Sequence, residues 1–494
     1  MNNSILLGKD STGKPVLLEP SKLNRHGLIT GATGTGKTVT LKVLTEGLSE
    51  LGIPVVLADV KGDLASLAVP GVPSEGVAKR LDGLVDMDNY FQRFPIRLWD
   101  VFGEDGHPLR VTVSDMGPLL LSRLLDLNDA QEGVLTIAFR VANENGWLIL
   151  DLKDLSSIIT YVGDHASELA RDYGNIASST IAALKRKLLT LEDSGATQFF
   201  GEPALDLEDL FKRDEQGLGM VNILASKQLI TQPTTYAMFL YWLLSAMFDY
   251  LPEVGDLPVP KAVFVFDEAH ILFDKSTHLI QEKLEQLIRM IRSKGVGVFF
   301  VTQTALDIPD SITGQLGHKI QHALRTYTPK EQKTLKAVAE GFRPNPLINP
   351  FEVIPQLKTG EALISLIQAD GSPSPVEQVL IIPPRSTFNT LDDEKRKNII
   401  DNSPYLYKYN QSIDRESAYE ILQARFFQQQ QELENQRILE QAAIEEEKKR
   451  IAEEKAKAKS KSSVNKMTDA FMGTIVRSIG REVSKNIFGG LRRR

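Results

Sequence analysis

The eight residues Gly31-Ala32-Thr33-Gly34-Thr35-Gly36-Lys37-Thr38 constrain this chain most, because they meet the spacing G-x-x-x-x-G-K-[ST] at every fixed position. A short apolar run, residues 28–30 (LIT), precedes them, and a helix-compatible stretch, TVTLKVLTEGLSEL, follows. Strand, glycine-rich loop and helix in that order form a cradle for phosphate. The glycines let the backbone curl so that successive amides point at phosphate oxygens, and the helix start adds its positive dipole end. Lys37 is then the cation for the β- and γ-phosphates of ATP, and Thr38 carries a hydroxyl for Mg²⁺.

A second block supplies the acids that such a loop needs. Residues 262–267 (AVFVFD) read as an apolar strand ending in Asp267, with Glu268 next to it. Asp267 is expected to hold Mg²⁺ through its water shell, and Glu268 to orient and polarise the attacking water. Gln303 ends another buried run, residues 296–303 (VGVFFVTQ), and a side-chain amide at that edge of a parallel sheet faces the same crevice. It can report the γ-phosphate to the rest of the subunit, or be an ordinary polar strand end. Asp59, Lys61 and Asp63 (DVKGD) end the run 54–59 in a similar position, with the same two readings.

The runs 54–59, 220–224 (MVNIL), 262–267 and 296–303 are continuous, β-branched and aromatic, and too short for helices. Strands buried on both faces look like this, so a mainly parallel sheet covered by helices is expected. Residues 5–20 read as a hairpin. Roughly residues 70–215 mix strand-like pieces (FPIRLWDVF, LRVTVSD) with helical patterns and read as an inserted, mostly helical subdomain. The run 362–367 (ALISLI) and VLIIPPR close an ATPase core over 1–385, followed by a connector at 386–411. Residues 412–461 turn to glutamine, glutamate, lysine and alanine, a long charged helix whose interrupted heptads leave coiled coil and solvated single helix both open. Residues 467–494 read as a basic amphipathic helix, with Phe471, Ile475, Ile479, Val483 and Ile487 on one side. It suits packing on its own or a neighbouring subunit, a nucleic-acid or partner contact, or a membrane surface.

Bulk properties exclude other classes. A chain of 494 residues without cysteine has no disulfide and no thiolate metal site, and fits a reducing compartment. No secretory signal is visible, and the longest apolar stretch, residues 236–251, is interrupted by Ser245 and Asp249. That stretch falls short of the ~20 residues of a spanning helix, so a buried helix, no transmembrane segment and a cytoplasmic location are expected. The net charge of −7 argues against a surface that coats itself with nucleic acid, but leaves room for a local basic channel.

The blocks NRHGLITGATGTGKT, LADVKGDL, VFVFDEAH and IRSKGVGVFFVTQ followed by DIPDSI resemble the HerA/FtsK branch of P-loop ATPases, most nearly the YjgR-type HerA-like proteins. The resemblance implies a RecA-like α/β P-loop NTPase that uses ATP and Mg²⁺, assembled as a homo-oligomer, a hexameric ring with ATP at subunit junctions. For related proteins it implies movement of double-stranded DNA through the pore. It also implies a catalytic arginine supplied to the neighbouring subunit's γ-phosphate, here Arg292, three residues before Gly295. Arg289 can share or take that role, with Arg325 and Arg343 as further candidates. Two functions stay open: an ATP-driven DNA translocase or remodeller, and an ATP-switched assembly module that binds protein partners through the 412–494 tail.

Overall fold

A computed structural model describes residues 4–274 and 278–461; the amphipathic helix expected at 467–494 lies outside the described residues. One sheet organises the first compact unit. Its strands are β1 (Ile5–Asp10), β2 (Pro15–Leu18), β3 (Gly27–Thr30), β4 (Val55–Asp59), β5 (Ile96–Asp100), β6 (His107–Pro108), β7 (Val221–Ala225), β8 (Ala262–Phe266), β9 (Val296–Thr302), β10 (His318–Gln321), β11 (Glu361–Ser365) and β12 (Glu377–Ile381). They lie in the order β2-β1-β12-β11-β10-β3-β9-β8-β4-β7-β5-β6. From β10 to β6 all neighbours are parallel, and the strands from β2 to β10 are antiparallel. The apolar runs became the central strands because β4, β8 and β9 are buried along their whole length.

Register decides where function sits. Thr30 lies opposite Thr302 and Gln321, Phe266 opposite Phe300, and Ala58 opposite Phe266. The chain therefore leaves β3, β4, β8 and β9 along one edge, carrying Gly31, Lys61, Asp267 and Gln303 out together.

Two readings of the segment between β4 and β7 need correction. FPIRLWDVF contributes β5, which pairs with β7 in the main sheet. LRVTVSD ends in a helix, Val113–Leu124, because Thr112 and Asp115 form a reciprocal cap: the Asp115 amide donates to the Thr112 hydroxyl at 3.0 Å, and the Asp115 carboxylate accepts from the Thr112 amide. The cap overrides the alternating pattern of Val and Thr. The strand β10 was not expected, since HKIQ looks polar. His318 and Gln321 are nevertheless buried, because His318 Nε2 donates to the Lys22 carbonyl at 2.8 Å and Gln321 Oε1 accepts from the Thr30 hydroxyl at 2.5 Å.

The packed unit continues past Arg385 as far as Arg415. Tyr409 is fully buried, its hydroxyl donates to Asp209 at 2.6 Å, and its ring meets Trp99 edge-on at 5.1 Å. The apolar stretch around residue 240 forms the helix Pro233–Tyr250, whose Tyr236–Leu244 side chains are buried, and no helix among the described residues is long and apolar enough to cross a membrane.

A second compact unit combines Ile137–Leu148, Lys153–Ala183 and, among the described residues, 416–461. In it the helix Ala418–Lys461 begins where the Ser417 hydroxyl and the Tyr419 amide both donate to Asp154, at 2.5 and 2.9 Å. Arg425 lies over the Trp147 ring at 5.1 Å. Farther along, Phe426, Leu433 and Leu439 are exposed.

Candidate nucleotide-binding site

The loop after β3 is fixed at both sides and open at its crown. The Gly31 amide donates to the Gln303 carbonyl at 3.1 Å and the Ala32 amide to the Ala323 carbonyl at 2.8 Å. Thr33 and Gly34 are exposed. Gly31 and Gly36 have positive φ values of 149° and 118°, and a Cβ on Gly31 would meet His322 Cβ at 2.5 Å. The helix Lys37–Glu50 starts directly behind, so the first-turn amides of Lys37 and Thr38 have no helical acceptor and face outward. Lys37 is buried and folds onto the loop, where Nζ donates to the carbonyls of Gly31 and Ala32 at 2.5 and 3.1 Å. Burial, then the nearby Lys61 ammonium, hold its pKa below the ordinary lysine value.

The acids meet the loop at the end of β8. Asp267 accepts from the Glu268 amide at 2.9 Å. Burial pushes the Asp267 carboxyl up to about 6, a shift that the Lys61 cation opposes. Glu268 takes φ +49°, an unusual backbone conformation for a residue other than glycine, of the kind concentrated at functional sites. Its Oε1 lies 2.8 Å from Lys61 Nζ, while Oε2 is buried without a hydrogen-bond partner, His270 Nδ1 standing 3.3 Å away.

Lys61 owes its position to Asp59, whose carboxylate accepts from the Gly62 amide at 2.7 Å and the Leu64 amide at 3.0 Å. Those bonds close a turn just after β4. Burial, with Asp63 beside it, pushes Asp59 up to about 7. Burial disfavours the Lys61 charge, but the Glu268 hydrogen bond and the surrounding carboxylates outweigh it and raise its pKa.

These groups fit magnesium. The buried Asp267 carboxyl, beside the buried and unpartnered Oε2 of Glu268, is the electrostatic setting that a hydrated divalent ion relieves.

The Gln303 side chain is exposed at the same edge. Arg292 lies elsewhere: it precedes β9, at the opposite end of the strand from Gln303, and shares Asp256 with Arg25 at 3.8 and 3.9 Å. Arg289 pairs with Glu285, Arg325 donates to the carbonyls of Pro355 and Leu357, and Arg343 donates to the Pro373 carbonyl.

His322 was missed in the sequence because β10 was. It lies behind the loop, where burial pushes it down to about 4 and keeps it neutral. Its Nδ1–H donates to the Glu361 carbonyl at 2.9 Å, which leaves Nε2 to accept from the Thr40 hydroxyl at 2.8 Å. On the outer side of the loop, Gly36, Val39, Arg80, Gly360, Pro383 and Phe388 line a cleft of about 260 Å³.

Several solved structures are similar to this chain. VirB4 of Thermoanaerobacter pseudethanolicus is similar at 17% identity over 77% of this chain and 97% of its own, with a TM-score of 0.49. The bacterial conjugative coupling protein TrwBdeltaN70, in its unbound monoclinic form, is similar at 14% identity over 79% and 92%, with a TM-score of 0.52. The plasmid coupling protein TrwB in complex with ADP and Mg²⁺ is similar at 15% identity over 78% and 91%, with a TM-score of 0.48. At its identity and TM-score, the likeness to TrwBdeltaN70 is one of fold alone. No curated protein matches the chain. The model described as helicase HerA-like C-terminal matches residues 4–494, and with a complete phosphate loop set beside paired strand-end acids, the chain belongs to that family of P-loop ATPases.

Proposed function

We propose that this ATPase works as a ring-forming motor, with ATP and Mg²⁺ at each subunit junction and nucleic acid as the polymer that it moves or remodels. The observation that carries the reading is the separation of Arg292 from its own phosphate loop by the length of β9. Seven extended residues span roughly 20 Å, so Arg292 is out of reach of Lys37 in the same chain and available to a neighbour's. Within one site, Lys37 and the loop amides hold the β- and γ-phosphates. Glu268 accepts a hydrogen bond from the attacking water and aligns it. Thr38 and Asp267 would hold Mg²⁺, which would supply charge compensation for the phosphate oxygens. An arginine from the next subunit stabilises the charge that builds on the transferring group, by a factor of roughly 10³–10⁵. The apolar cleft beside Gly36 suits the nucleobase.

Mixed assembly tests the junction. Arg292→Ala and Lys37→Ala subunits should each be inactive alone and recover turnover when mixed, because a junction with an intact loop and an intact arginine reappears. Co-assembly without recovery counts against Arg292 acting in trans, and normal turnover of Arg292→Ala alone removes it from the mechanism. For the polymer, ATP turnover should rise with double-stranded DNA and lose that stimulation steeply with salt. The exposed Phe426, Leu433 and Leu439 favour a second reading, in which the tail helix docks a protein and ATP switches the assembly. Turnover indifferent to DNA would select it.

A further inference from the structure

Lys61 and Glu268 make an ion pair that a purely structural role does not explain. Glu268 is nearly buried and offers only one oxygen to the pair, whereas the Lys61 side chain is 41% exposed. The turn fixed by Asp59 holds the Lys61 backbone still, so the flexible four-carbon stem is the part that can move. Lys61 follows β4 and Lys37 follows β3 at the same edge of the sheet, on either side of the ends of β9 and β8. Each rests on an acceptor belonging to the protein: Lys37 on loop carbonyls, Lys61 on Glu268.

An arriving triphosphate changes the competition. Lys37 meets the β- and γ-phosphates from inside the loop, and the γ-phosphate puts a dense anion between the loop and the end of β4. That anion carries more charge and more acceptors than one carboxylate oxygen. We infer that Lys61 is a γ-phosphate sensor, which holds Glu268 by its Oε1 when the third phosphate is missing and transfers to that phosphate when ATP binds, freeing Glu268 to align water. ADP ends at the β-phosphate and leaves the Lys61–Glu268 pair closed. The inference rests on the ATPase reading and adds a residue that tells ATP from ADP.

The test is equilibrium binding of ADP and of a non-hydrolysable ATP analogue, with Mg²⁺, to the full chain. Lys61→Met should weaken the analogue about tenfold and leave ADP within about twofold, while Lys61→Arg keeps part of the preference. The decisive comparison is a double-mutant cycle. Glu268→Gln should tighten the analogue several-fold when Lys61 is present, because the competing carboxylate is gone. In the Lys61→Met background the gain should shrink to the part due to simple charge repulsion. Equal tightening in both backgrounds overturns the inference, as does an unchanged ATP-to-ADP preference in Lys61→Met. Parallel loss of ADP binding also overturns it, since Lys61 would then serve the loop or the fold. If the wild-type chain binds neither nucleotide, the ATPase reading itself fails.

Discussion

The amide of Gly31 donates to the carbonyl of Gln303 at 3.1 Å, so the phosphate loop and the end of β9 are joined through the main chain. A substitution that removes only the Gln303 side chain keeps that joint. Gln303→Ala should therefore bind an ATP analogue within about twofold of wild type and lose turnover on the order of tenfold or more, the pattern of a contact made after binding. Weakened binding of equal size would mean that the side chain supports the loop rather than sensing phosphate.

Lys37 and Glu268 should separate binding from chemistry. Lys37→Ala removes the cation from the loop and should abolish nucleotide binding. Glu268→Gln keeps the shape of the side chain and leaves Thr38 and Asp267 untouched, so ATP should bind and hydrolyse about 10²–10⁴ times more slowly, the usual worth of a positioned base. Single-turnover measurements with radiolabelled ATP check both, and normal hydrolysis by Glu268→Gln would remove it as the water-aligning group.

Where the tail is cut should matter. A chain ending near residue 430 retains Ser417 and Tyr419 on Asp154, and Arg415 on Glu202 at 2.6 Å. A chain ending at residue 411 strips two hydrogen bonds from a carboxylate that is 1% exposed, and uncovers the surface beneath Ala418. Lost partners of buried polar groups cost about 1–3 kcal/mol each. Thermal unfolding should place the longer truncation within about 2 °C of the full chain and the shorter one several degrees lower. Equal melting of the two would show that these anchors contribute nothing.

Acid sensitivity has a specific source in His318. Burial holds this ring neutral, with its pKa pushed down to about 4 from an ordinary value near 6.5. Above 6.5 the ring is neutral in folded and unfolded chains alike, and its contribution to stability is complete. As pH falls from 6.5 towards 4, the unfolded chain takes up a proton that the folded chain refuses, and stability drops by about 1.4 kcal/mol per pH unit. Asp59 and Asp267, pushed up to about 7 and about 6, act with the opposite sign over that range, so the whole-protein curve is a mixture. His318→Gln isolates the ring. Urea unfolding at pH 7.5 and 5.0 should show a loss smaller than wild type by about 2 kcal/mol, and identical losses would contradict a neutral buried His318.

The fold class and half of the site were legible in order alone. G-x-x-x-x-G-K-T encodes backbone chemistry within eight adjacent residues, and uninterrupted β-branched and aromatic runs too short for helices, such as AVFVF, read as strands buried on both faces. Local information of that kind needs no tertiary context. It failed where a short-range polar interaction competed with periodicity, as at Thr112 and Asp115, and where buried polar side chains found partners far along the chain, as in β10. The approach of Lys61 to Glu268, the support of the loop by His322, and the distance of Arg292 from its own loop were decided by the tertiary structure. Parallel strands meet without a turn between them, so their register follows from packing across the whole sheet, and that register determines which side chains from distant segments face one another.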